Sequence, residues 1–211
     1  MKKLLLTVTA LFVVSLAKAQ YGESDFKLGL SAHPTVGWIR SDINGVESDG
    51  MRFGFSYGLL GDFLFAENYA FSTALKLTTI NGKTEENNGL SKSIYKLQYI
   101  EIPAKLKLLT NDNESGVRFY GEFGLGNAFN VRAKRDVKST DPTLTQEGGD
   151  IYKQISFYRG SIVLGAGAEI NTSGKTRLMA GLTFDNGFTD IKKGSGTLKS
   201  SYLGINLGVF F

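Results

Sequence analysis

"SYLGINLGVFF", residues 201–211, closes the chain and decides how the rest is read. Leu203, Ile205, Leu207, Val209 and Phe211 share one parity; Tyr202, Gly204, Asn206, Gly208 and Phe210 share the other. Successive side chains of a strand point to opposite faces, so this stretch is a strand with one oily face. That face meets either a protein core or something else, and the upstream sequence decides which.

The same alternation predicts seven earlier strands, near 26–39, 51–65, 69–80, 94–109, 117–131, 154–170 and 175–186. In 51–65, for instance, Phe53, Phe55, Tyr57, Leu59, Phe63 and Phe65 alternate with Arg52, Gly54, Ser56, Gly58 and Asp62. The fourth strand starts with Tyr95, Leu97 and Tyr99 on the oily parity and then shifts to Ile100, Ile102, Ala104, Leu106 and Leu108. A one-residue slip flips every later side chain, so a β-bulge is expected near Tyr99–Ile100, with Pro103 where a ladder hydrogen bond can be spared. No helical period of comparable length is present.

Connections alternate as well. "AEN" (66–68), "TNDNESG" (110–116) and "NTSG" (171–174) are short turns. "RSDINGVESDG" (40–50), "NGKTEENNGLSKS" (81–93), the segment 132–153 and "GFTDIKKGSGT" (187–197) are long polar loops. Short turns on one rim and long loops on the other predict an all-β, eight-stranded, antiparallel up-and-down transmembrane barrel with both chain ends on the periplasmic rim.

The first residues, "MKKLLLTVTALFVVSLAKAQ" (1–20), carry a basic start, an apolar run and a small-x-small site at Ala17–Ala19. This predicts a signal peptide over 1–19, cleaved so that a barrel domain spans 20–211. Its apolar run is shorter than a spanning helix needs. Loss of Lys2, Lys3 and Lys18 takes the formal charge from +4 to +1, so the basic balance gives no reason to expect nucleic acid as a partner. The chain has no cysteine.

Three features turn the oily face outward. The polar face mixes charges with Gly29, Gly37, Gly54, Gly58, Gly124, Gly126, Gly165, Gly167, Gly204 and Gly208, as suits a narrow lumen filled by side chains. Its charges include both signs: Lys27, Arg52, Lys76, Lys105, Arg118, Arg159 and Arg177 against Asp62, Glu101, Glu122, Glu169 and Asp185. Aromatic residues cluster near strand ends on the oily face: Trp38, Phe63, Phe65, Tyr69, Phe71, Tyr95, Phe184 and Phe211.

The leader, the eight alternating strands, "LQYIEIPAKLKL" (97–108) with "YIEIP" at Tyr99–Pro103, and the "YLGINLGVFF" end are similar to the PorT-like, porin-family outer-membrane β-barrel proteins of Bacteroidota. The resemblance implies fold and outer-membrane location, and it makes assistance to type IX secretion one expectation. It further implies that Phe211 ends the signal read by the barrel-assembly machinery.

Signs of chemistry are sparse. Ser31 and His33 share a face and could be read as nucleophile and base of a barrel-embedded lipid enzyme; a histidine in the lumen's polar network is the plainer reading. "GEFGLG" and "GAGAE" lack the spacing and following helix of a phosphate loop. Glu85 and Glu86 lack the geometry of a cation site. "RAKRDVK" (132–138) begins the longest outer loop with Arg132, Lys134, Arg135 and Lys138, which could contact lipopolysaccharide. The expectation is a non-enzymatic envelope structural or interaction protein without cofactor or metal, with a plugged lumen, outer-membrane lipid around it and envelope or secretion proteins as further candidate partners. A narrow porin or small-molecule carrier is the alternative.

Overall fold

The computed structural model describes residues 26–86, 89–174 and 176–211. The expected leader and its cleavage before Gln20 lie outside these residues. Within them the chain forms β1 (Phe26–Ser41), β2 (Val46–Ala66), β3 (Tyr69–Glu86), β4 (Ser91–Glu101), β5 (Ala104–Leu109), β6 (Val117–Ser139), β7 (Gln146–Asp150), β8 (Tyr158–Ser173), β9 (Thr176–Gly187) and β10 (Leu198–Phe210). β4 and β5 are two pieces of one wall, interrupted at Ile102–Pro103, and both pair with β3 and β6. β7 leans on β6 outside the ring. The last long strand, β10, pairs with β1, so an antiparallel ring of eight walls closes without a free edge.

Exposure decides the orientation. Phe123 and Leu164 are each 49% exposed on the outside, while Arg159 and Glu169 are 0% exposed within. The tail obeys the same rule: Leu203, Ile205 and Leu207 face out, and Tyr202, Asn206 and Phe210 face in. An eight-stranded lumen is only wide enough to be filled by side chains, and glycines make the room. A Cβ at Gly126 would lie 2.1 Å from Ser161 Oγ, and one at Gly29 would lie 2.9 Å from the Phe210 ring.

The filling is layered. Leu60, Ala70, Ala74, Leu109, Tyr120, Met179 and Phe210 form an apolar floor near the chain end. Charged groups occupy the middle. Ile39, Ile80, Tyr95, Leu97, Tyr99, Ala133 and Leu198 form an apolar chamber above them, roofed by Ile151, Ile155 and Ile191 from the two outer loops. Ser156 N–H donates to Ile191 O (2.9 Å) and Lys193 N–H to Gln154 O (2.8 Å), which ties the two loops together.

Around this chamber the usual order of a membrane barrel reverses: oily within, polar without. The sequence reading is corrected here in four places. Tyr95 belongs to the chamber, 5% exposed, and not to the aromatic belt. β4 has no phase slip of its own, since Tyr95, Leu97, Tyr99 and Glu101 all face in and Ile100 faces out. What changes at Tyr99 is the outer face of the wall, from polar to oily. The ladder irregularity does occur at this level, but Val131 of the neighbouring strand is the extra residue, because Gln98 pairs with Arg132 and Tyr99 with Asn130. Lastly, 81–86 and 132–139 are not loops; they continue β3 and β6 beyond the outward oily belt.

The aromatic belt otherwise stands as read. Trp38 stacks on Phe184 with centroids 6.1 Å apart, and Phe65 on Tyr69 at 6.2 Å. Pro103 falls in the break between β4 and β5, where Thr73 Oγ1–H donates to Pro103 O (2.7 Å) and Ile102 N–H to Asn127 O (2.7 Å).

Candidate functional site

Two clusters carry the chemistry: ion pairs in the lumen and cations on the outer wall. In the lumen Lys76 meets Glu101 (3.1 Å) and Lys105 meets Glu122 (2.8 Å). Lys107 meets both Asp62 (2.6 Å) and Glu169 (2.5 Å), and Arg118 Nε–H donates to Glu169 (2.8 Å). Arg159 meets Asp185 (2.5 Å), donates to Ser200 Oγ and Ser200 O (2.7 and 2.8 Å), and leaves the second Asp185 oxygen to Ser161 Oγ–H (2.7 Å). Five cations thus face five carboxylates. Removing one partner from such a buried pair leaves an uncompensated charge, which is far costlier than the pair itself.

Of the twelve charges expected in the lumen, Asp62, Lys76, Glu101, Lys105, Arg118, Glu122, Arg159, Glu169 and Asp185 lie in the network, and Lys27 stands at its lower mouth without an ion pair among the described residues. Two are corrected. Arg177 sits at the rim of the short turns and makes a two-pronged pair with Asp112 of the 110–116 turn (2.8 and 2.6 Å). Its guanidinium holds the Asp112 carboxyl below the usual carboxylate range. Arg52 lines a cleft on the outer wall. A Cβ at Gly37, its partner across the ladder, would lie 2.6 Å from Asn81 O, so β1 and β3 close together there and leave no lumen for an arginine.

Lys107, 1% exposed, is the hub that the sequence reading omitted. It shares the parity of Lys105 in "KLKLL", which was the available signal. Its Nζ also stands 4.8 Å from the Tyr120 ring centre and 4.9 Å from that of Phe210, where the charged layer rests on the floor. The space left among these groups is about 20 Å³, on the scale of a single water.

His33 is part of this packing. Its Nδ1 lies 2.5 Å from Asn206 Oδ1, and Asn206 Nδ2–H donates to Thr183 Oγ1 (2.6 Å). Ser31 Oγ–H turns to Gly58 O (3.5 Å), away from the imidazole. Among the described residues no group of His, Asp and Glu is arranged to hold a metal, and no helix is long and apolar enough to cross a membrane.

The basic run 132–138 is split by the strand that contains it. Arg132 and Lys134 face outward beside Lys96 and Gln98, with Arg52, Thr79 and Asn81 completing a cleft of about 270 Å³. Arg135 pairs with Tyr95, whose side chain faces the chamber, and Lys138 lies farther up the strand opposite Lys92. Lys96 is paired with Asp136 (2.5 Å), whose carboxyl it holds below its ordinary range. Phe211 stands at the lower rim, its side chain exposed and its N–H donating to Leu28 O (2.9 Å).

Several solved structures are similar to this chain. Neisserial surface protein A is 18% identical with a TM-score of 0.50, and the match covers 90% of this chain and 99% of that one. OprG from Pseudomonas aeruginosa is 8% identical (TM-score 0.48; 88% and 95% covered), and Ail of Yersinia pestis is 14% identical (TM-score 0.42; 88% and 97% covered). No curated protein matches the sequence. A family profile described as "Outer membrane protein beta-barrel domain" matches residues 18–193. With the closed ring, the outward oily belt and this match together, the chain belongs to the outer membrane protein β-barrel domain family.

Proposed function

We propose that the chain is exported by its leader, cleaved before Gln20 and inserted into the outer membrane as a non-catalytic anchor for a rigid extracellular crown that binds another component of the envelope. The observation that carries this reading is the double closure of the lumen, by balanced charges in the middle and by a roofed apolar chamber above. The cavity among the lumen charges holds about one water and the chamber above it is roofed, which weighs against the porin or carrier alternative. The crown, by contrast, is built to last: β3 continues from Leu77 to Glu86 and β6 from Phe129 to Ser139 beyond the last lipid-facing row.

An envelope protein of a secretion assembly is the partner suggested by the likeness to PorT-like proteins, and Phe211 at the open rim suits a role in recognition by the assembly machinery. The test replaces the hairpin 136–150 by a short turn. Loss of partner crosslinking in cells, with outer-membrane location and heat-modifiable migration retained, supports the reading. Unchanged crosslinking, or steady large currents through the purified intact chain, overturns it.

A further inference from the structure

We infer that the outer wall formed by β2, β3, β4 and β6 carries a binding site for the phosphate groups of an outer-leaflet lipid headgroup. The inference rests on the outer-membrane reading and narrows the expected lipopolysaccharide contact to one wall and a different residue set. Cross-strand register builds the site as two rows. Thr79, Gln98 and Arg132 stand side by side, and Asn81, Lys96 and Lys134 stand side by side one rung higher. Directly below them runs Leu77–Ile100–Phe129, the last row that is oily on β3, β4 and β6 together. Two residues along a strand are about 7 Å, so the cations lie where headgroup phosphates begin.

Arg52 joins them because β2 has an extra residue here. Met51 pairs with Gly82 and Phe55 with Thr79, so four steps of β2 match three of β3, and the arginine comes to line the outer cleft. Four cations line the cleft; Asp136 is paired with Lys96 and Asp150 stands across the ladder from Lys134, which leaves the group at +2. Among the described residues Arg52, Arg132 and Lys134 make no ion pair within 4.0 Å. Arg40, an outward cation on β1, shows the contrast: it is already engaged by Asn186 Oδ1 (2.6 Å) and Gly187 O (3.2 Å).

The flanks are oily. Phe53, 83% exposed, and Phe55 border the patch on β2, and Val131 borders it on β6. A soluble anion would gain nothing from that frame; a lipid fills it with acyl chains while arginine and lysine take its phosphates.

The test titrates the detergent-purified, folded chain by native mass spectrometry with bis-phosphorylated lipid A, with dephosphorylated lipid A, and with inorganic phosphate. It needs no crown partner, so its failure leaves the crown reading standing, and failure of the crown reading leaves this one standing. Expected results are weaker binding by about tenfold or more for Arg132→Glu/Lys134→Glu, a similar loss for the dephosphorylated lipid, and no displacement by excess inorganic phosphate. Lys138→Glu/Lys153→Glu carries the same charge change off the patch and should shift binding by less than about twofold. Equal losses in both double variants, equal binding of the dephosphorylated lipid, or displacement by inorganic phosphate would each overturn the inference. Heat-modifiable migration verifies that each variant is folded.

Discussion

Lys107 and Glu169 come from strands that do not touch, β5 and β8, yet meet at 2.5 Å inside the barrel. Lys107 also takes Asp62 from β2, two walls away on the other side. One lysine therefore ties three separated walls, and its loss strands two buried carboxylates.

Lys107→Met is accordingly expected to destabilise the barrel by about 3–5 kcal/mol. Urea unfolding in lipid vesicles measures it. Adding Asp62→Asn restores the charge balance while leaving the Arg118–Glu169 pair in place, and should recover part of the loss.

The reversal of polarity along β4 makes a paired prediction. Leu97→Ala, in the apolar chamber, should cost about 2–5 kcal/mol, whereas Lys96→Ala beside it on the wet exterior should cost under about 1 kcal/mol. Equal effects would show that the chamber is not packed as described.

Lower on the wall the outside is hydrocarbon. Phe123→Arg, on the oily face of β6, should cost about 2–4 kcal/mol in vesicles. A change of less than about 0.5 kcal/mol would be inconsistent with lipid contact there.

Planar-bilayer recordings of the purified chain should show no steady conductance, given the filled lumen. The same preparation should show no lipid hydrolysis, and His33→Ala should leave that baseline unchanged, because Ser31 bonds to backbone and His33 to Asn206.

The crown has its own acid limit. Lys96 lowers the folded pKa of Asp136, so the pair's contribution is complete above the ordinary carboxylate range, near pH 4, and is lost as pH falls through the lower folded value. Proteolysis of the 136–150 hairpin, followed from pH 7 downward, should rise only below that range, and Asp136→Asn should cleave readily at every pH.

The barrel was readable wherever its outside is lipid, because there hydrophobic and polar residues alternate in the expected sense. It was misread wherever its outside is water. In 94–99 the same alternation encodes an inward oily set, so Tyr95, Leu97 and Tyr99 read in sequence as a lipid face followed by a bulge. The strand extensions 81–86 and 132–139 are polar outside and read as loops. The charge network was largely legible from parity. Arg52 escaped it because a ladder irregularity in a neighbouring pair moved one side chain, which no single strand's pattern records. The outer-wall patch was half visible as the basic run from Arg132; Arg52 and Lys96 join it only through pairing across strands.

The row Leu77–Ile100–Phe129 works as a waterline. Just below it these three strands are greasy outside and ionic inside; above it they carry cations outside and the apolar chamber inside. Sinking the protein by one rung would drown lysine and arginine in acyl chains, and raising it would wet a ring of phenylalanine and leucine. Immersion is thereby held to within one rung, and a bilayer of unsuitable thickness must itself thin or swell around this protein.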